Sequence, residues 1–191
     1  MIRRAKLSLF PLLFLSVCSS FAVLRAQSRD HLTPQEVDLI KDAQVLDKRI
    51  EVFIKAADRR LLVLKGVDPA SAKQLKKDAE TWGELPTGSR AELVNDIAHI
   101  LDEAITNIDD VNSRDERNPL IPKALRRLAA EVTRLQLQLA PLGPQAKGDA
   151  EIASFELLGE NAKSILDAAN KLPPEVDQKT KGKNDKAKDK N

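Results

Sequence analysis

The chain is 191 residues long, with no tyrosine, one tryptophan, one cysteine, two histidines and a formal net charge of +2. One cysteine excludes an internal disulfide and any Cys-x-x-Cys metal or haem motif. The small net charge sums unlike parts: residues 1–26 carry four bases and no acid, residues 178–191 six lysines and two aspartates, and the stretch between is acidic by six, which is no nucleic-acid footprint.

Residues 1–26 read as a secretory leader. Arg3, Arg4 and Lys6 precede an apolar run over 7–17, and small residues follow. Ala22 and Ala26 are both acceptable cleavage points, and Ala26 leaves the more polar start, Gln27-Ser28-Arg29-Asp30. Two rival readings tie the chain to a membrane: Leu15-Ser16-Val17-Cys18 resembles a lipobox that would lipidate Cys18, and an uncleaved run over 7–24 is just long enough to span. Cleavage after Ala26 leaves a chain without cysteine, suited to an exported location, periplasmic or secreted.

Residues 27–174 form the folded domain. Thr33-Pro34-Gln35-Glu36 is a capping-box pattern with proline at the first helical position, and Leu32 stands where a hydrophobic staple to Val37 would start. Apolar residues at Leu39, Ala43, Leu46, Ile50, Phe53, Ala57, Leu61 and Leu64 then recur at steps of three and four, which predicts one continuous helix over 33–66, about 46 Å long and longer than its neighbours. Its far end, at Arg59-Arg60-Leu61, projects, is sheathed by the Trp82 segment, or forms a dimer contact. His31 reads as a solvated residue ahead of the cap. A short helix is expected from Asp68-Pro69 to Trp82, with Trp82 anchoring it over one end of the core and Gly83 ending it. Ser89 or Thr87 caps a long helix to about Asn112, with Leu93, Ile97, Ile100, Ala104, Ile108 and Val111 inward. Asn118 caps the next, which carries Pro119 and Pro122 in its first turn and a stripe from Ile121 to Leu142. The last is expected over 149–171, with Ile152, Phe155, Leu158, Ala162, Ile165, Ala169 and Leu172 on one face. Four long amphipathic helices on mostly short connections predict an all-α, antiparallel up-and-down four-helix bundle with one short extra helix. Residues 175–191, rich in lysine and poor in apolar side chains, are expected to be a disordered tail.

The search for chemistry returns little. Only His31 and His99 are available as histidine bases, and no glycine-rich phosphate loop follows a strand. On the third helix expected, the long one after Ser89, Glu92, Asp96, His99, Glu103 and Asp110 fall within about 60° of one another. Asp96, His99 and Glu103 are therefore the metal-ligand candidates. Di-metal carboxylate bundles take a Glu-x-x-His from each of two helices, whereas this chain has a single Asp-x-x-His. The competing reading is a solvated acidic flank facing Lys123, Arg126, Arg127 and Arg134 on the next helix.

Leu32-Thr33-Pro34-Gln35-Glu36 is similar to the Leu-Thr-x-x-Gln signature of small periplasmic helical chaperones and metal-stress proteins, departing at its fifth position, where Glu36 replaces Gln. Residues 29–64 also resemble uncharacterised secreted helical proteins of soil bacteria, a likeness that implies no activity. The expectation is thus a secreted or periplasmic, non-catalytic helical protein with an interaction, scaffold or chaperone-like role. It needs no cofactor, and its partner is an unidentified envelope protein or another copy of itself. The alternative is a divalent-metal-binding bundle using the acidic stripe.

Overall fold

A computed structural model of the chain describes residues 29–67 and 72–174. The leader (residues 1–26, with Cys18, Ala22 and Ala26) and the lysine-rich tail lie outside the described residues. The structure is all-helical: α1 (Pro34–Asp42), α2 (Leu46–Lys65), α3 (Ala72–Trp82), α4 (Arg90–Arg114), α5 (Leu120–Leu139) and α6 (Asp149–Asn170), with a 3-10 turn at Gly143–Gln145. Among the described residues no helix is long and apolar enough to cross a membrane.

The four long helices alternate in direction along the chain and pack as a bundle. Polar pairs between them fix which helices are neighbours. Asp47–Lys123, Glu51–Arg127 and Asp58–Arg134 join α2 to α5 at a constant separation of 76 residues, so these two helices run parallel. Arg90–Glu151 and Asn161 Nδ2 to the Ala98 carbonyl (2.9 Å) place α4 and α6 side by side, also parallel. Arg49–Asn107 and Arg60–Asp96 run in opposite order and make α2 and α4 antiparallel neighbours. Going round the bundle the order is α2, α4, α6, α5, with α4 and α5 touching across the shorter diagonal. The basic flank of α5 thus meets the acids of α2, not the acidic side of α4.

The core is aliphatic, as the composition requires. Ile50, Phe53, Ile97, Ile100, Leu128, Leu135 and Ile165 are among its fully enclosed side chains, and each contributes roughly 1.5–3 kcal/mol of burial. The caps follow local sequence. Thr33 and Ser89 both make complete capping boxes, with Glu36 and Glu92 returning to the cap backbone. The Asn118 side chain accepts from Leu120 N at 3.0 Å, closing the start of α5.

The expected continuous first helix is corrected. It breaks at Ala43-Gln44-Val45, and α1 turns back along α2. There is therefore no overlong rod: α2 has 20 residues, against 25, 20 and 22 for α4, α5 and α6. Arg49 Nε donates to the Ala43 carbonyl at 3.0 Å and Gln44 Nε2 to that of Lys41 at 2.7 Å, so side chains take up carbonyls that the break releases. The first turns of α6 are corrected too. Its buried face there is Glu151, Ser154 and Leu158, while Ile152 is 45% exposed. Glu151 faces inward because it pairs with Arg90 and accepts Lys147 N at 2.8 Å.

Candidate functional site: a buried ion cluster and the cleft beside it

Folding α1 back on α2 brings the Glu36 carboxylate to the last turns of α2. Burial is complete for an ionisable group: Glu36 is 0% exposed, Arg60 1%, Asp96 3% and Arg59 4%. One Glu36 oxygen receives Arg59 Nε at 3.1 Å and Arg60 Nη1 at 2.5 Å. The other receives Thr33 N at 2.9 Å, so the capping residue of α1 is also the counter-ion of α2. Arg60 goes on to the Ala56 carbonyl (2.9 Å) and the His31 carbonyl (2.6 Å). Its Nε stands 3.8 Å from Asp96 Oδ2, which Arg29 contacts at 2.7 Å.

Arg59 is held on the opposite side. Its Nη2 donates to the Gly83 and Glu84 carbonyls, at 3.2 and 2.5 Å, and its guanidinium lies 5.8 Å from the Trp82 ring centroid. Trp82 thus caps the end of α2 by stacking on a cation. Gly83 is there for a backbone reason. Its φ is +69°, and a Cβ would come within 3.0 Å of the Gln35 side chain. Burial lowers the Arg59 pKa, opposed by the charge of Glu36. It raises that of Asp96, opposed by Arg29 and Arg60. Both directions are those expected of charges taken out of water.

His31 is not the solvated residue the sequence suggests. Its Nε2 lies 2.9 Å from Glu103 Oε2, and its ring centroid is 5.6 Å from that of His99. Residues 29–31 therefore form a strap over α2 and α4, fastened by Arg29–Asp96, by the His31 carbonyl on Arg60 and by His31–Glu103. The hydrogen bond that His31 donates to Glu103 raises the His31 pKa, against the effect of burial, and the charges of Glu103, Asp30 and Asp96 add to the rise.

The three metal candidates do not converge. Asp96 faces inward onto arginines, Glu103 is turned to His31, and His99 is exposed. Among the described residues no three of His, Cys, Asp and Glu cluster closely enough to hold a metal ion. Glu92 is occupied in the Ser89 capping box and Asp110 is exposed.

The chain matches no family model, no curated protein and no solved structure.

Beside the cluster, between α2, α3 and α5, lies a cleft of about 380 Å³. Leu61, Leu62 and Leu75 line it, with Lys55, Arg59, Lys65 and Arg134 around them. Lys55 is paired to Asp78 at 2.8 Å and Arg134 to Asp58 and Glu131, whereas Lys65 reaches the neutral Gln138 amide at 3.1 Å. The arrangement suits binding of an amphipathic surface. Sequence reasoning missed both the cluster and the cleft. The available signal was that Arg60 follows Phe53 by seven residues and Ala56 by four, which places it on the buried face.

Proposed function

We infer that the chain is an exported, non-catalytic helical protein that acts by binding, in an interaction, scaffold or chaperone-like role in the cell envelope. One observation carries the reading. The inward-facing ionisable groups neutralise one another, Glu36 with Arg59 and Arg60, and Asp96 with Arg29 and Arg60, and Arg59, which also lines the cleft, is already held by Glu36. An active site keeps perturbed groups pointed at a cleft. Here the cleft is walled by leucines, by four cations and by Asp58 and Asp78, and three of those cations already hold carboxylates. The leader pattern in residues 1–26 supplies the export half of the reading.

The test uses the purified protein with an unfolding client of acidic composition, followed by light scattering. Suppression of aggregation that is lost in Leu62→Glu, a half-buried cleft residue, with an unchanged circular dichroism melt, supports a chaperone-like surface. Equal suppression by wild type and Leu62→Glu removes the cleft from the account. An intact Met1 on protein recovered from the envelope removes cleavage of the leader. One zinc, copper or iron per chain, lost on His99→Ala, replaces the binding reading with the metal one.

A further inference from the structure

The break between α1 and α2 has none of the usual causes of a helix break. Residues 42–46 are Asp-Ala-Gln-Val-Leu, with no glycine and no proline. Ala43 (φ −75°, ψ 81°) and Val45 (φ −90°, ψ 131°) lie at ordinary negative φ, and every positive φ among the described residues belongs to glycine. Alanine and glutamine are good helix formers. The N-cap of α2 is Val45, which has no side-chain oxygen and makes no cap hydrogen bond, so the first N–H groups of α2 get no help from it. The apolar period also runs through the break without a slip: Leu39, Ala43, Leu46, Ile50. Local sequence favours a continuous helix over residues 34–65, and what holds α1 back is tertiary, chiefly the Glu36 carboxylate between Arg59 and Arg60.

Straightening has a geometric consequence. In one helix Glu36 and Arg60 would stand about 36 Å apart, at 1.5 Å per residue over 24 residues. A straightened chain takes the carboxylate away from its own Arg59 and leaves Arg60 with Asp96 alone, at 3.8 Å, and it carries a carboxylate that only another copy can receive. Both deficits vanish if two chains exchange α1 reciprocally. Each Glu36 then lies between Arg59 and Arg60 of the other copy, every contact of α1 is remade, and the break region gains helical hydrogen bonds. We propose that this chain forms a two-fold dimer by exchanging residues 29–42, with the Ala43-Gln44-Val45 break as the hinge and the partner's Glu36 completing the Arg59–Arg60 site. Exchange of an identical element is a low-cost route to a symmetric dimer. The proposal stands independently of the binding role inferred above, since it needs neither the cleft nor a client.

The experiment is sedimentation of the purified protein over a range of concentrations, with three hinge sequences. Gln44 and Val45 are both exposed, Val45 by 50%, so substitutions there spare the core. Gln44→Ala with Val45→Ala raises the helical preference of both hinges in the dimer and is expected to strengthen dimerisation by roughly tenfold or more. Val45→Pro fits the observed turn but breaks a continuous helix, and is expected to abolish the dimer while the monomer stays folded. Dimerisation unchanged by Val45→Pro means the hinge does not open and overturns the proposal. So does a monomer at every concentration in both the wild type and the double alanine variant. Glu36→Gln mixed with Arg60→Gln gives a second readout that survives weak folding of either one alone. Exchange restores one intact site in the mixed dimer, so mixed dimers should exceed the statistical share; a statistical mixture counts against exchange.

Discussion

Phe53 and Glu36 are both wholly excluded from solvent, yet their surroundings have opposite chemistry. Phe53 sits mid-way along α2 within the aliphatic cluster of Ile50, Ile97 and Leu128. Glu36 sits where α1 meets the last turns of α2, among two guanidiniums and backbone groups. An aliphatic core is favourable almost however its members shift, because burial has no direction. A buried carboxylate is tolerable only with its partners in place, because its desolvation is offset by hydrogen bonds of defined geometry. The middle of the bundle therefore provides stability, and the end fixes which arrangement of α1 is reached.

Removing the carboxylate gives the largest expected effect. Glu36→Ala leaves Arg59 buried without its carboxylate and Arg60 with only Asp96 at 3.8 Å, and it dismantles the α1 capping box. It should destabilise by about 3–5 kcal/mol, as breaking one side of a buried pair does, with the lost cap on top. Replacing Glu36, Arg59 and Arg60 together by apolar residues of similar volume should cost far less than Glu36→Ala alone. Denaturant melts of the two variants decide this. If the triple replacement is the worse, the cluster is a net source of stability and the contrast with the core dissolves.

Phe53→Ala tests the other side. Loss of burial plus the cavity left behind should cost about 3–5 kcal/mol, a large share of the 5–15 kcal/mol that holds a typical domain. Unlike Glu36→Ala, it should leave α1 docked, so proteolysis at residues 43–45 should stay slow in native conditions. Rapid cleavage there in Phe53→Ala would show that α1 depends on the core after all.

What could be read from the sequence follows the same division. The capping boxes at Thr33 and Ser89 and the inward stripe of α4 are legible, because they depend on residue type and spacing within one element. The break at Ala43-Gln44-Val45 is not, because its cause is a contact with residues 59 and 60. For Arg59-Arg60-Leu61 the sequence leaves open whether this end projects or is sheathed, and only the fold supplies Glu36 and Trp82 as its partners. Asp96 was placed on an acidic flank, and its true surroundings depend on Arg29 from a segment with no periodicity to read. In α6 the inward set of Glu151, Ser154 and Leu158 has helical spacing, but its first two members are polar, so the pattern pointed to Ile152 instead.

The ladder between α2 and α5 should matter much less than either buried group. Asp58–Arg134 is about one-third exposed on each side, and such a pair contributes about 0.2–1 kcal/mol. Asp58→Asn should shift stability within that range and lose its effect in high salt. A salt-independent loss of several kcal/mol would mean that the ladder, not the aliphatic core, sets the register of these parallel helices.

The smallest effect belongs to the strap, and it carries a sign. The His31 pKa is raised in the folded state, chiefly by its hydrogen bond to Glu103. A group whose folded pKa lies above its unfolded value, about 6.5, stabilises fully below that value, and its contribution disappears as pH rises through the folded pKa. Lowering the pH from above the folded value toward about 6.5 should therefore raise the thermal midpoint slightly. His31→Gln should flatten the slope in that window while leaving the buried cluster intact, because Arg60 binds the His31 carbonyl and not its ring. Glu51 and Glu92 act in the opposite sense further down. The Lys48 hydrogen bond lowers the first and the hydrogen bond to the Ser89 backbone lowers the second, so their contributions are lost only as pH falls below about 4.5. On acidification from above the folded His31 pKa toward about 6.5, the wild-type midpoint should rise and that of His31→Gln should rise less. A wild-type midpoint that drops steadily from neutral pH would mean that His31 is not held by Glu103 in solution, and that residues 29–31 are fastened by Arg29 and the backbone alone.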